Sequence, residues 1–454
     1  MRRFVWVPIF LLSLALATGW ATVVDADDWP QWFGPQRDGV WRESGIMDAI
    51  PAEGLPVRWR SPVSGGYSGP AVAEGRVFVT DYVRREGDAS NDPSSRRELQ
   101  GSERVLCFAQ ASGRLLWRYE YECPYKISYP AGPRATPTVD GDRLYTLGAE
   151  GHLLCLAVET GNVIWSKQLQ EAYHIEAPLW GFAAHPLIDG DRLICVVGGE
   201  GSVAVAFDKK SGGEVWKAVS ASEPGYCAPT IITAAGTRQL LIWDADKLNG
   251  LNPATGESYW TLPLKPDFGM SIAPPRQVGD YLFASAIRNV AAVMKLDSKR
   301  PGAEITWQAR GPKESVFCAI STPFVEDGVV FGTDCNSGAL IGADLMTGEQ
   351  LWETFDATTG DRRASHGSAF LVRQGQRYIL LSETGHLIFA KLTRTGYEEL
   401  GRTRVIEPTG EAFGRPVVWS YPAFAGRCLF VRNDNEIVCL SLASSGVASD
   451  TPGE

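Results

Sequence analysis

The chain has 454 residues, 44% of them apolar, 10% aromatic and 21% charged, with 53 acidic against 43 basic residues and a formal charge of −10. Its 48 glycines and 28 prolines make it turn-rich without low complexity, which excludes collagen, coiled coil and bulk disorder. The acidic balance argues against a nucleic-acid partner, because neutralising phosphates needs a basic face.

The first element in chain order is an export signal: Arg2 and Arg3, then the apolar run Phe4 to Leu16, then small residues. Thirteen apolar residues are too few to cross a bilayer comfortably, so residues 1–26 are expected to be removed, with cleavage after Ala21 or Ala26. The expectation is an exported protein of the periplasm or cell envelope with no remaining transmembrane span. A secreted protein, or one tethered by an uncleaved N-terminus, is the alternative. Residues 27–56 carry Trp29, Trp32 and Trp41, too aromatic a set for a free tail, and are predicted to pack along the side or base of the domain that follows.

From residue 57 to 442 one unit recurs. A tryptophan follows a glycine by four residues in the pairs Gly113 and Trp117, Gly161 and Trp165, Gly212 and Trp216, Gly256 and Trp260, and Gly348 and Trp352. Trp307 belongs to the series with a turn longer by one residue, and the period is about 47 residues. Upstream of each tryptophan lie two β-rich stretches around a turn such as Asp140-Gly141-Asp142, where glycine supplies the positive φ that a tight hairpin needs. Eight such hairpins begin near Pro70, Pro137, Pro186, Pro229, Pro274, Pro323, Ala369 and Pro422. The last unit has a third strand, Ile437 to Leu442, but no fourth, while Val57-Arg58-Trp59-Arg60 is an orphan strand with a tryptophan of its own. The two ends complement each other, which predicts an all-β, eight-bladed β-propeller closed by the N-terminal strand in the last blade, with 443–454 a polar tail.

The motif Ala206-x-Asp208-x-x-x-Gly212-x-x-x-Trp216, with partial copies at Asp344, Gly348, Trp352 and at Asn252, Gly256, Trp260, resembles the tryptophan-docking repeat of pyrroloquinoline-quinone-type propellers. The opening Asp28-Trp29-Pro30-Gln31-Trp32-x-Gly34-Pro35-x-Arg37-Asp38-Gly39 is similar to the leader of exported quinone-repeat proteins abundant in planctomycete bacteria. The repeat is shared by quinoprotein dehydrogenases and by non-enzymatic scaffolds like the outer-membrane assembly factor B. The resemblance implies a scaffold of the envelope with a protein or polysaccharide partner. It also implies two rivals, a pyrroloquinoline-quinone- or calcium-dependent oxidoreductase and an envelope carbohydrate or peptide binder.

The residues favour the scaffold. Quinoprotein dehydrogenases stack the quinone on a vicinal disulfide, and none of the nine cysteines here is adjacent to another. Cys107, Cys155, Cys195 and Cys439 lie inside β-rich apolar runs and are expected to be buried thiols. Asp244-Ala245-Asp246-Lys247-Leu248-Asn249-Gly250 superficially matches a calcium loop, but Leu248 takes a ligand position and no glutamate closes it, so a turn in blade four is expected. No His-Glu-x-x-His, Gly-x-Ser-x-Gly or phosphate loop occurs. Neither a catalytic group nor a cofactor or metal ligand is therefore assigned.

The connections between blades are long and aromatic, and they share one face of a propeller with the turns between second and third strands. Trp180, His185, Tyr226, His366, Trp419 and Arg134 form the candidate binding face. Tyr125, Tyr129, Tyr173, Phe268 and Phe317 are expected near the same face. The polar insertion Val83 to Glu103 is expected to be a solvated loop.

Overall fold

In the computed structural model, residues 28–444 are described; the expected export signal and the end of the expected tail lie outside them. Eight antiparallel sheets of four principal strands each surround one axis. Blade three is representative: Leu187–Asp189 is innermost, then Arg192–Val196, Ala204–Asp208 and Glu214–Ala218 outermost. In blade eight the fourth place is taken by Val57–Pro62, which pairs antiparallel with Glu436–Ser441 in a register that sets Arg60 opposite Val438. The ring is closed by the N-terminal strand, and no blade is left with three strands.

The tryptophan–glycine repeat is an inter-blade joint. The Trp117 indole N–H donates to Val158 O at 2.9 Å in the next blade, Trp165 to Lys209 O at 3.1 Å, Trp216 to Pro253 O at 3.2 Å, and Trp59 to Gln110 O at 2.7 Å across the closure. The glycine receives the tryptophan of the preceding blade. A Cβ on Gly161 would lie 2.5 Å from the Trp117 ring, and one on Gly212 2.8 Å from Trp165. Both glycines hold φ near +72, so the turn and the packing each require the missing side chain. Asp208 finishes the joint by accepting the backbone N–H groups of Lys210 and Ser211. Trp260 departs from the pattern, since its N–H goes to Gln239 of its own blade.

The first part of the lead segment, residues 28–41, lies inside the ring. Trp29 exchanges two backbone hydrogen bonds with Val72 on the innermost strand of blade one, and Pro30 O accepts Val139 N in blade two. Arg37 donates to the carbonyls of Pro186 and Pro229 at the entries to blades three and four, and Arg276 of blade five donates to Asp38 O. Phe33 packs on Phe324 of blade six, Val40–Trp41 pairs parallel with Ala369–Gln374 of blade seven, and Trp32 meets Tyr421 of blade eight edge-on. Residues 28–41 therefore touch the inner rim of all eight blades and fill the axis, which the sequence did not predict, whereas the rest of the segment runs along blades seven and eight as expected, with Met47 N donating to Leu442 O, Arg377 to Asp48 O and Ser441 N to Pro56 O. The physical reason is volume: eight short inner strands leave an axial space, and the buried Trp32 and Phe33 rings occupy it.

The insertion in blade one is solvated over residues 83–98 as expected, but it is strand at both ends where a loop was expected. Strands Arg76–Glu86 and Arg97–Ala109 run on past their neighbours, leaving only residues 87–96 irregular. Polar side chains alternate there with buried Tyr82, Leu99 and Glu103, and Tyr125 stacks on Tyr82 at 3.9 Å. Period-two alternation gives the hairpin a buried face, which its polar average composition conceals.

Candidate functional site

The connections into innermost strands and the turns between second and third strands gather on one face and enclose a cavity of about 800 Å³. Its floor and walls are apolar, with Leu179, Met270, Ile272, Ile287 and Ile320. Arg134, Trp180, Tyr226, His366 and Trp419, five of the six candidate residues, line it together. Trp180 meets Tyr226 edge-on at 5.6 Å, and Trp419 stacks near Tyr129 at 6.2 Å. His185 is elsewhere, deeper along the axis. Its ring lies flat on Trp32 at 4.7 Å, and its Nδ1 accepts the Thr136 N–H at 2.9 Å.

Of the other expected aromatics, Tyr129 and Phe268 reach the cavity. Tyr125 is buried under Tyr82, Tyr173 leans on Phe207, and Phe317 is fully buried. The cavity also takes Tyr67, Arg288 and Phe413, which the sequence reading missed. Phe413 sits on a small hairpin, Gly410–Ala412 with Arg415–Val417, hung ahead of blade eight. The Gly-x-x-Phe-Gly-Arg run from Gly410 to Arg415 was the available signal. The tip of the blade-one hairpin reaches the same rim, where Pro93 and Ser94 line the mouth and Asn91 donates to Glu411 O.

The rim is held in strained backbone. Tyr129, Phe268, Arg288, His366 and Phe413 are all non-glycine residues with φ between +50 and +57, and all five line this cavity. Bulky residues avoid this region, and such strain persists where surrounding structure over-determines it, typically at ligand sites. Phe268 and Phe413 are 59% and 44% exposed, though both are large apolar rings.

Electrostatics divide the site's polar groups into engaged and free. Glu383 is buried and pinned by Arg415 at 2.7 Å, by the Ser368 N–H at 3.1 Å and by the Trp419 indole N–H at 3.3 Å. His366 stacks on Phe413 at 4.8 Å; burial first, then Arg415 and Arg288, push its pKa down to about 4, so it is neutral at pH 7. Arg134 lies 5.3 Å over the Tyr67 ring and donates to the carbonyls of Ser128, Tyr129 and Gly132. Asp244 forms the second-to-third-strand turn of blade four, its Oδ1 accepting the N–H groups of Asp246 and Lys247 and its Oδ2 the Asn249 amide. All nine cysteines are buried free thiols.

The sequence profile of outer membrane protein assembly factor BamB matches residues 101–354 and 298–452, most of the propeller. The chain belongs to the BamB family. Outer membrane protein assembly factor BamB of Yersinia pestis is 25% identical over 259 residues, covering 55% of this chain and 63% of that protein. The chain's match thus spans less than two thirds of the curated relative. A polyvinylalcohol dehydrogenase of Sphingopyxis sp. (strain 113P3) is 27% identical over 153 residues, 30% of this chain and 23% of that enzyme. Among solved structures, BamB from Moraxella catarrhalis superposes with TM-score 0.51 at 17% identity, over 80% of this chain and 97% of that one. Quinohemoprotein alcohol dehydrogenase from Comamonas testosteroni superposes with TM-score 0.58 at 12% identity, over 93% and 82%. Both share the fold.

The wider fold includes quinoproteins, so the cavity of this BamB-family chain was tested for a quinone with calcium. Glu223 is the one carboxylate among the lining residues, and no three His, Cys, Asp or Glu side chains converge on a metal position among the described residues. A hard divalent cation takes six to eight oxygen ligands, several of them carboxylates. The donors present do not fit the calcium ion.

Proposed function

We propose that the protein is a non-enzymatic scaffold of the cell envelope whose aromatic cavity holds a segment of a partner protein during assembly. The observation that carries this reading is the rim itself: five strained, bulky residues of different connections converge on one apolar mouth. Conserving a single shape there has a cost that a mere roof over the axis would not need. The ring of eight blades supports such a site from several connections at once. Membership of the BamB family supports a role in envelope assembly. No helix among the described residues is long and apolar enough to cross a membrane.

The test pairs two assays on the purified protein. Co-purification of a defined envelope protein with the wild type, lost with Phe268→Ala/Phe413→Ala, is expected, together with no dye reduction when quinone, calcium and alcohols or sugars are supplied. Dye reduction coupled to alcohol or sugar oxidation overturns the scaffold reading in favour of an oxidoreductase.

A further inference from the structure

The charge around the cavity is opposite in sign to that of the chain. The formal total is −10, yet the charged groups lining the mouth are the two guanidiniums of Arg134 and Arg288 against the single carboxylate of Glu223, with His366 neutral. Arg288 is exposed and makes no ion pair among the described residues; its guanidinium lies 4.9 Å over the Phe268 ring. Arg134 makes its hydrogen bonds to main-chain carbonyls, with the carboxyl groups of Glu103 and Glu150 near enough to interact with its charge. Below them the axis holds two further guanidiniums, Arg37 and Arg276, whose hydrogen bonds also go to carbonyl oxygens, with one from Arg37 to the Gln31 amide oxygen. By contrast, the Arg415 charge is met by Glu383. A cleft lined by one sign of charge with apolar walls focuses its field outward.

We infer that the cavity receives an extended polypeptide segment in which acidic side chains alternate with apolar ones, a statement that rests on the scaffold reading. The apolar floor of isoleucines and Met270 takes the apolar side chains, while Arg288, exposed on its phenylalanine, presents its guanidinium face to carboxylates and Arg134 on its tyrosine adds to the positive potential. About 800 Å³ is the size of a pocket for a drug-sized molecule, which matches a few residues of extended chain. An acidic polysaccharide shares the charge but not the rest of the chemistry. Its many hydroxyls need neutral planar partners, and Asn336 is the one side-chain amide in the lining.

The probes are a dodecapeptide of alternating Phe and Glu, its Phe/Lys counterpart, and oligogalacturonate, each titrated against the full chain while intrinsic tryptophan fluorescence is followed. The Phe/Glu peptide is expected to bind at least tenfold more tightly than the Phe/Lys peptide at 50 mM salt. That preference is expected to shrink at 300 mM salt, because exposed charges are screened. Arg288→Glu, a surface change that leaves the melting temperature in place, is expected to remove or invert the preference, and Phe268→Ala to weaken both peptides. Equal affinity for the two peptides, an unchanged preference in Arg288→Glu, or binding of oligogalacturonate alone overturns the inference. If both peptides bind equally and Phe268→Ala still abolishes them, the scaffold reading stands and the acidic preference falls.

Discussion

His185 supplies a pH dependence that can be worked from the structure. Its Nδ1 accepts the Thr136 N–H, so the folded ring is neutral with the proton on Nε2. Burial, and secondarily Arg37, hold its pKa well below the usual value near 6.5. The unfolded chain takes up a proton as pH falls through about 6.5 and the folded chain does not, so the stability linked to His185 is complete above 6.5 and is lost below it. The loss is about 1.4 kcal/mol per pH unit until the folded ring itself protonates. His366, lowered to about 4, adds a loss of the same sign over the same window. Glu103, Glu150 and Asp334 are pushed up by burial and act oppositely, gaining stability as they protonate in the fold. The total slope is therefore mixed, and a variant isolates the histidine. His185→Asn keeps an acceptor for Thr136 and removes the titration. Urea unfolding followed by tryptophan fluorescence at pH 6.5 and 5.5 should show the wild type losing about 1 kcal/mol more than His185→Asn between the two, less than the limiting slope because the unfolded ring is already half protonated at 6.5. Only the slopes matter, since losing the stack on Trp32 lowers the variant at every pH. Parallel profiles would refute the placement of His185 as a buried neutral acceptor.

The inter-blade joint makes a paired prediction: Gly212→Ala meets both the left-handed backbone penalty of about 1–2 kcal/mol and the Trp165 ring, whereas Gly190→Ala, at φ +59 with open space, meets only the penalty. Equilibrium unfolding should place Gly212→Ala about 1–3 kcal/mol below Gly190→Ala. Trp59→Ala, which empties the joint that closes the ring, should cost about 3–5 kcal/mol by the same measurement, with a value below about 1 denying the closure a structural role. Because all nine thiols are buried, alkylation counted by mass spectrometry should add nothing appreciable to the native chain and nine groups in denaturant.

The fold was legible because its signal is covalent spacing. Glycine in a left-handed turn and tryptophan four residues later are both demanded by one local joint, so the joint shows in the sequence each time it recurs. The surplus strand at Val57 and the missing strand after Leu442 could be matched for the same reason. The site was only half legible. Trp180, Tyr226 and Trp419 stand in conspicuous long connections, but Phe413 and Arg288 owe their position to left-handed backbone on short turns that no spacing reports. The plug escaped because the partners of Trp32, His185 and Tyr421, are over 150 and nearly 390 residues away in the chain. His185 was drawn toward the rim on its position before an inner strand, which is correct for direction and silent about depth. The blade-one insertion misled through composition: its polar residues up to 98 are solvated as expected, but Leu99 and Gly101 to Glu103 at its end are buried in the extended strand.

The most direct measurement of the central claim is site-specific photo-cross-linking in native envelopes. A benzophenone at Phe268, on the cavity rim, is compared with one at Leu115, also exposed, on the outer strand of blade one at the opposite face. The account predicts a discrete protein adduct from position 268 that disappears with Phe413→Ala, and none from position 115. Adducts from 115 alone, or the same adducts from both positions, would contradict it.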